Sequence, residues 1–259
     1  MGILNVTPDS FSDGGRHLDP GHALAAVRAM ADDGAAICDI GAESTRPGAE
    51  PVPEEEELRR LAPVLRALGE GEALPLPLSI DTSKSAVARA ALDAGAVLVN
   101  DVTAGRADPD LLPLVAERGA AVCLMHMRGD PRTMQDDPRY RDVVAEVHDF
   151  LGERLEAARE AGVPAERVLL DPGIGFGKRL EHNLALLRGL PALAGLGRPL
   201  VVGVSRKGMF GALLGRSVSE RMAGSIAAAL AAVARGAAVI RAHDVRETND
   251  ALRVWLAVG

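Results

Sequence analysis

Aromatic residues are scarce in this sequence, since Phe, Tyr and Trp together make up 2% of its 259 residues. Aliphatic side chains must therefore fill the core, and hydrophobic residues make up 47% of the chain. Positive charge is also in deficit, with a formal net charge of −7 at pH 7. Nucleic acids and anionic membranes need a broad basic face, so we expect neither as a partner. A few local cations can still bind a small anion.

Cysteine and long apolar runs are equally rare. The two cysteines, Cys38 and Cys123, each lie inside a short apolar run, which favours buried free thiols in a reducing compartment over a disulfide or a zinc site. The N-terminus shows no basic region followed by an apolar stretch, and no apolar run reaches membrane-spanning length. These absences predict a soluble cytoplasmic protein.

What the sequence does contain is a series of eight short apolar runs, each of which leads to polar residues capable of chemistry. Continuous runs of this kind are typical of parallel strands that are buried on both faces. Polar residues gathered where such strands end are typical of the active face of a (β/α)8 barrel. In chain order these residues are Asn5, Asp39, Asp81, Asn100 with Asp101, His126, Asp171, Ser205, and Arg241 with His243.

Helical patterns separate the apolar runs. Apolar residues recur at the helical period from Leu58 to Leu68, behind four glutamates that suit a helix N-terminus better than a metal site. Ser217 and Glu220 have the spacing of a capping box. Glycines that can adopt a left-handed conformation close several helices before the next run, namely Gly34, Gly95, Gly119 and Gly236. We therefore predict an α/β fold, a single TIM barrel domain over residues 1–259.

Glycine is concentrated in the loops that follow the runs, most densely in residues 171–178. This segment does not form a Walker loop, because the spacing fails and Lys178 is followed by Arg179. It does not fit the dinucleotide G-x-G-x-x-G pattern either. A nucleotide cofactor is therefore not predicted.

Eight loop segments, taken together and in order, carry a specific resemblance. They are NVTPDSFSDGG (5–15), DIGAESTRPGA (39–49), SIDTSK (79–84), VNDVTAG (99–105), MHMRGDPRTMQ (125–135), LDPGIGFGK (170–178), GVSRKGMFG (203–211) and RAHDVRET (241–248). The chain resembles the dihydropteroate synthases, pterin-binding barrels of the folate pathway that sulfonamides target. The resemblance implies condensation of a dihydropterin hydroxymethyl diphosphate with p-aminobenzoate, which yields dihydropteroate and pyrophosphate.

Four polar residues suit a pterin. Its ring edge presents an amide N–H beside an exocyclic amine, and a carboxylate can accept both hydrogen bonds, so we assign Asp171 to this edge. Asn100 can serve the ring nitrogens and Asp81 another ring N–H, whereas Lys207 can donate to the carbonyl and cover the ring with its stem. The resemblance implies the same positions. Taken singly, Asp81 and Asp171 could equally hydrogen bond at a barrel rim or cap a helix.

The diphosphate requires cations and directed donors. Arg241 and His243, two residues apart after the last run, can both face a ligand where barrels often bind phosphate. The resemblance implies that Asn5 is a ligand of Mg2+, which keeps several waters and binds through few protein oxygens plus substrate phosphates. Thr45 and Arg46 complete the predicted diphosphate set.

The second substrate pocket follows from resemblance. p-Aminobenzoate is expected near Phe176, Pro47 and the Lys207 stem, with its carboxylate near Ser205 and with Phe11 from the first loop. Phe176 would expose apolar surface in its glycine-flanked loop unless a ligand covers it. The alternative is that this ring pins its own loop to the barrel.

For the reaction we favour dissociative substitution. Mg2+, Arg241 and His243 would stabilise the departing pyrophosphate, so that the C–O bond ionises before the amine attacks. Asp13 would stabilise the cation, and Lys207 completes the catalytic set. Loop closure would exclude water.

Two other functions remain open. A pterin-binding barrel serving corrinoid-dependent methyl transfer would share Asp81, Asn100 and Asp171 but would have no use for Arg241 with His243. A non-catalytic pterin-binding relative would be expected to lack some of the catalytic residues, which are all present. The resemblance also implies a homodimer through late helices, although the alanine-rich stretch from Ser219 to Ala234 suits an ordinary barrel contact nearly as well.

Overall fold

Eight parallel strands form one sheet in which spatial order follows chain order. The computed structural model describes residues 1–6, 20–46, 48–70 and 74–258 of the chain. The strands are β1 (Gly2–Asn5), β2 (Cys38–Gly41), β3 (Leu78–Asp81), β4 (Leu98–Asp101), β5 (Ala121–Met125), β6 (Val168–Asp171), β7 (Leu200–Val202) and β8 (Ala237–Ile240). Each of the eight predicted apolar runs overlaps one strand, although the run Ala36–Cys38 shares only Cys38 with β2.

The sheet curls until its two edge strands meet. Gly2 of β1 pairs in parallel with Ala242, just after β8. Ile3 N donates to Ala242 O at 3.2 Å, and Ala242 N donates to Met1 O at 3.0 Å. These bonds satisfy backbone groups that an open edge would leave unpaired. The predicted (β/α)8 barrel is confirmed.

Helices connect the successive strands and surround the sheet. They are α1 (Pro20–Asp32), α2 (Glu54–Glu70), α3 (Ser85–Asp93), α4 (Leu111–Arg118), α5 (Val143–Glu160), α6 (Leu180–Ala194), α7 (Gly208–Leu214), α8 (Met222–Val233) and α9 (Val245–Val258). None of the helices in the described ranges is long and apolar enough to cross a membrane.

Local sequence signals explain several helix ends. Gly119 ends α4 in the left-handed conformation at φ +59°, where a side chain would be strained. Ser217 and Glu220 do form a capping box, but it caps the N-terminal end of a short 3-10 turn over Val218–Glu220. The longer helix α8 begins after that turn, at Met222.

Aliphatic side chains fill the core, as the low aromatic content requires. The largest fully buried residues are all Leu or Ile, such as Ile40, Ile80 and Leu170 on three of the strands. Cys38 and Cys123 are buried free thiols, as predicted. Burial raises the pKa of the Cys38 thiol to about 12, so this side chain behaves as a small apolar group.

The glutamate run that begins α2 has a role beyond helix electrostatics. Glu57 is fully buried and accepts a 2.6 Å bond from Lys84 Nζ, which also bonds Glu43 at 2.6 Å. Glu43 accepts in turn from the backbone N of Val52 at 2.8 Å. This network joins the base of the loop after β2 to α2 and to the start of α3.

Candidate active site at the carboxyl rim of the barrel

The carboxyl ends of the strands bring the predicted polar residues to one rim. The sheet register pairs Asn5 with Gly41, Gly41 with Asp81, and Asp81 with Asn100 along the first four strands. Asp171 lies at the corresponding end of β6, paired with Met125. Because all strands are parallel, these side chains occupy one edge of the barrel.

An ionic network crosses this rim and joins three strands. Arg241 Nε donates to Asp39 Oδ2 at 2.7 Å, and its Nη2 donates to Asp81 Oδ2 at 2.7 Å. Asn100 Nδ2 donates to the same oxygen of Asp39 at 3.0 Å. The bonds of Arg241 span 202 and 160 residues of chain, so they form only when the barrel closes.

Burial sets the protonation of this network. Desolvation raises the pKa of Asp81 to about 7, and the charge of Asp39 adds to the rise while Arg241 opposes it. Although burial alone would lower the pKa of Arg241, the two carboxylates raise it above its usual value. Asp39 is fully buried, and its Oδ1 has no hydrogen-bond partner among the described residues. An acceptor of this kind is costly to bury unless a ligand satisfies it.

Asp171 is held rigidly on the other side of the rim. Gly173 N donates to its Oδ1 at 2.7 Å, and its backbone O accepts from His126 N at 2.9 Å. Burial raises the pKa of Asp171, whereas the charges of Lys207 and Arg241 oppose the rise. The carboxylate is therefore fixed at one oxygen, and the other can accept from a ligand.

Lys207 approaches Phe176 from the loop after β7. Its Nζ lies 4.2 Å from the centre of the Phe176 ring, a cation–π distance. Burial lowers the pKa of Lys207 to about 8, with Asp171 opposing the fall. The ammonium therefore stays largely charged at neutral pH. The structure thus brings together two residues that sequence reasoning assigned to neighbouring subsites.

His243 and Ser205 form a direct pair beside the network. His243 Nδ1 lies 3.0 Å from Ser205 Oγ, which also accepts from His243 N at 3.2 Å. Burial lowers the pKa of His243 to about 4, and the charges of Arg206, Arg241 and Arg46 contribute. The imidazole is therefore neutral at pH 7. Ser205, predicted near the p-aminobenzoate carboxylate, lies against a residue predicted to bind diphosphate.

The remaining predicted residues divide into two groups. Asn5 is half-buried at the end of β1, and the exposed Arg46 and half-buried Thr45 lie in the loop after β2. Arg46 is close enough to lower the pKa of His243, which brings this loop toward the diphosphate set. Phe11, Asp13 and Pro47 lie outside the described residues.

Sequence reasoning missed two contributions to the site. Asp39 was predicted to follow a strand and was given no role, whereas it is the second residue of β2 and accepts from both Arg241 and Asn100. Its position directly after an apolar run was the same signal that identified Asp81. Lys178 and His126 form a buried pair under the loop after β6, which no local pattern indicates.

No group of three or more His, Cys, Asp or Glu side chains within the described ranges has the arrangement of a metal site. Mg2+ often takes only one or two ligands from the protein and completes its set with water and substrate phosphate oxygens. Asn5 can add one amide oxygen to such a set.

Comparison with known proteins agrees with this geometry. The family described as "Pterin binding enzyme" matches residues 1–243. The dihydropteroate synthase of Escherichia coli strain K12 is 48% identical over 254 residues, which cover 98% of this chain and 89% of that protein.

Two solved structures are similar over all of this chain. Xanthomonas albilineans dihydropteroate synthase with 4-aminobenzoic acid has a TM-score of 0.91 at 53% identity, with 92% of that chain covered. Yersinia pestis dihydropteroate synthase in a sulfonamide drug complex has a TM-score of 0.93 at 46% identity, with 93% covered. The chain belongs to the dihydropteroate synthases, the pterin-binding barrel transferases of folate biosynthesis.

Proposed function

We propose that the carboxyl rim of this single-domain barrel condenses 6-hydroxymethyl-7,8-dihydropterin diphosphate with p-aminobenzoate by dissociative substitution. The observation that carries the assignment to these residues is the Asp39–Arg241–Asp81 network, which places a cation between carboxylates at the centre of the rim. A pterin presents several N–H donors, and the diphosphate is an anion. The rim therefore offers carboxylate acceptors for the pterin and a cation for the diphosphate at one place.

The pterin is recognised by carboxylates and an amide. Asp171 accepts from the ring amide N–H and the exocyclic amine, and Asp81 accepts from another ring N–H. Asn100, buried and fixed by Asp39, serves the ring nitrogens. Lys207, whose Nζ lies 4.2 Å from the centre of the Phe176 ring, donates to the pterin carbonyl. Ligand N–H groups directed at Asp81 favour its charged form, which opposes the effect of burial.

The diphosphate lies beside Arg241 and His243. The bonds from Arg241 to the two aspartates use two of its five N–H groups, and the guanidinium can direct another toward an anion. His243 is neutral, so it offers the diphosphate one N–H hydrogen bond and no positive charge. Arg46 and Thr45 approach from the loop after β2 and Asn5 from β1.

Asn5 fits Mg2+ as a single protein ligand. Its amide oxygen, a few waters and the substrate phosphates satisfy the preferences of this ion. When bound, Mg2+ neutralises the diphosphate and improves it as a leaving group. Arg241 and His243 hold the diphosphate in place as the C–O bond breaks.

The arylamine approaches from the Phe176 side. Phe176 forms one wall and the Lys207 stem another, and the predicted partners Phe11 and Pro47 come from segments outside the described residues. Ser205 is available to the carboxylate at the edge shared with His243. An arylamine is neutral at pH 7, so it needs no strong base before it attacks. Asp13, also outside the described residues, is the proposed stabiliser of the pterin cation.

The dissociative order predicts bond cleavage without the amine. Enzyme mixed with the pterin diphosphate and Mg2+ in a rapid-quench experiment should release pyrophosphate when p-aminobenzoate is omitted. Omission of Mg2+ should slow this release. Strict dependence of cleavage on p-aminobenzoate would contradict the dissociative order, while formation of dihydropteroate with both substrates tests the overall reaction separately.

We place the enzyme in the cytoplasm as a homodimer. The buried free thiols suit a reducing compartment. Apolar side chains on α7, the 3-10 turn and α8 are exposed to solvent, and we propose that a second copy covers them. The residues are Leu213, Leu214, Val218 and Met222.

A charge on this surface should separate the subunits. Leu214 is 53% exposed. The Leu214→Glu variant should sediment as a monomer, because association would desolvate the new carboxylate. Val97→Glu is the matched control, since Val97 is 51% exposed and lies before β4. A wild-type chain that sediments as a monomer at micromolar concentration would refute the proposed dimer.

A further inference from the structure

The loop that carries Phe176 is held from the loop after β5 and from its own base. Lys178 Nζ donates to the carbonyl of Phe176 at 2.9 Å. Tyr140 Oη donates to the next carbonyl, that of Gly177, at 2.8 Å. We call Lys178 and Tyr140 the carbonyl clamp.

Lys178 lies in an unusual environment for a lysine. It is 3% exposed, and its Nζ also lies 2.8 Å from His126 Nδ1 and 3.4 Å from His126 O. The ring of His126 is itself fixed edge-on against Phe150, with centroids 4.8 Å apart. A buried amine is costly to desolvate. The hydrogen bonds of Lys178 Nζ join the loop after β5, through His126, to the loop after β6, through Phe176.

Tyr140 is fixed from both sides. The guanidinium of Arg128 lies 4.2 Å from the centre of its ring, and the ring of His182 packs edge-on with centroids 4.9 Å apart. The hydroxyl therefore has a defined direction toward Gly177. A Tyr140→Phe variant keeps both ring contacts and loses only the bond to the loop.

The preceding peptide is also held by side chains. Gly175 N donates to Asn183 Oδ1 at 2.7 Å, and Gly175 O accepts from Gln135 Nε2 at 2.6 Å. Gly175 and Gly177 have φ values of +86° and +62°, a conformation that other residues rarely adopt. The backbone on both sides of Phe176 is thus restrained, whereas its side chain is left facing Lys207.

We propose that the carbonyl clamp positions Phe176 for the arylamine substrate. Lys178 and Tyr140 touch neither substrate. By holding two consecutive carbonyls they keep the Phe176 ring beside the Lys207 ammonium, and so preform one wall of the second pocket. This inference rests on the proposed function, in which Phe176 contacts p-aminobenzoate.

A double-mutant cycle tests the clamp. Tyr140→Phe should raise KM for p-aminobenzoate by about two- to fivefold and Lys178→Met by about tenfold, the range for loss of one or more hydrogen bonds. For Tyr140→Phe, KM for the pterin diphosphate and kcat should change by less than about twofold, because the Tyr140 hydroxyl bonds the Gly177 carbonyl rather than a pterin residue. Lys178→Met also removes a charge that acts on Asp171, so only its KM for p-aminobenzoate is used as a criterion. In a Phe176→Ala background, either clamp variant should add less than about twofold.

The controls separate positioning from a general loss of structure. Arg139→Met removes an exposed cation next to Tyr140 and should leave both KM values unchanged. Equal increases in both KM values for Tyr140→Phe, or effects of either clamp variant on KM for p-aminobenzoate that add fully to that of Phe176→Ala, would overturn the proposed clamp. If Lys178→Met does not fold, Tyr140→Phe alone decides, and an unchanged KM for p-aminobenzoate overturns the proposal.

The same set of variants distinguishes failure of the inference from failure of the proposed pocket. If Phe176→Ala leaves KM for p-aminobenzoate unchanged, Phe176 is not a wall of the pocket, and both the pocket and the clamp fail. If Phe176→Ala raises KM but neither clamp variant does, only the clamp fails.

Discussion

Asp171→Asn is expected to weaken pterin binding by roughly 30- to 5,000-fold, which corresponds to the loss of about 2–5 kcal/mol for a buried charged partner. The amide replaces one acceptor oxygen with a donor, which then faces the donors of the pterin edge. Sites built to hydrogen bond a ligand discriminate strongly when such a partner is mismatched. Calorimetric titration with the pterin diphosphate measures the loss directly.

The fold should tolerate this substitution. The asparagine oxygen can still accept from Gly173 N, as Asp171 Oδ1 does at 2.7 Å, and the backbone bond from His126 is unaffected. Asp149→Asn is the matched control, because Asp149 is 78% exposed on α5. Unchanged pterin affinity in a folded Asp171→Asn variant would remove Asp171 from the pterin edge.

Arg241→Met is expected to lower kcat by about 10²- to 10³-fold, the usual cost of removing one group that stabilises developing negative charge. The leaving diphosphate loses its cation as the C–O bond breaks. The substitution also removes the cationic partner of Asp39 and Asp81, and the pKa of Asp81 will then rise further because Arg241 no longer opposes the effect of burial. Single-turnover kinetics with saturating substrates isolate the chemical step.

A second readout tests the role of Arg241 as an ion-pair partner. Apparent binding of the pterin diphosphate should become more pH-dependent near neutrality in Arg241→Met, because Asp81 must lose a proton to accept a ring N–H. Arg246→Met provides the control, since Arg246 is 71% exposed and pairs with Asp33 away from the rim. Equal kinetics for Arg241→Met and wild type would exclude Arg241 from the diphosphate site.

The barrel could be predicted because its signals are local. The apolar run Ala96–Val99 predicts a strand buried on both faces from a few residues, and all four residues of β4 are buried. The glycines that close helices act through their own backbone angles, as Gly119 does. The positions of Asp81, Asn100 and Asp171 at one rim then follow, because parallel strands place their carboxyl ends together.

The pairings inside the site could not be predicted in the same way. Strand ends gave a set of candidate side chains but not which atoms meet, because side-chain contacts depend on barrel curvature and stagger. Ser205 illustrates this limit, since no sequence pattern indicated that its Oγ lies 3.0 Å from His243 Nδ1. The buried ion pair of Glu57 with Lys84 is another example, because Glu54 and Glu55 in the same run of glutamates are exposed.

Strand number, strand order and the edge that carries the chemistry were therefore encoded in patterns a few residues long. Tertiary structure alone decided that Arg241 bonds Asp39 and Asp81, and that Lys178 Nζ donates to the carbonyl of Phe176. The physical reason is the separation along the chain over which each interaction acts. Propensity and periodicity act between near neighbours in the chain, whereas an ion pair or a buried amine is defined by atoms that only the closed barrel brings within hydrogen-bond distance.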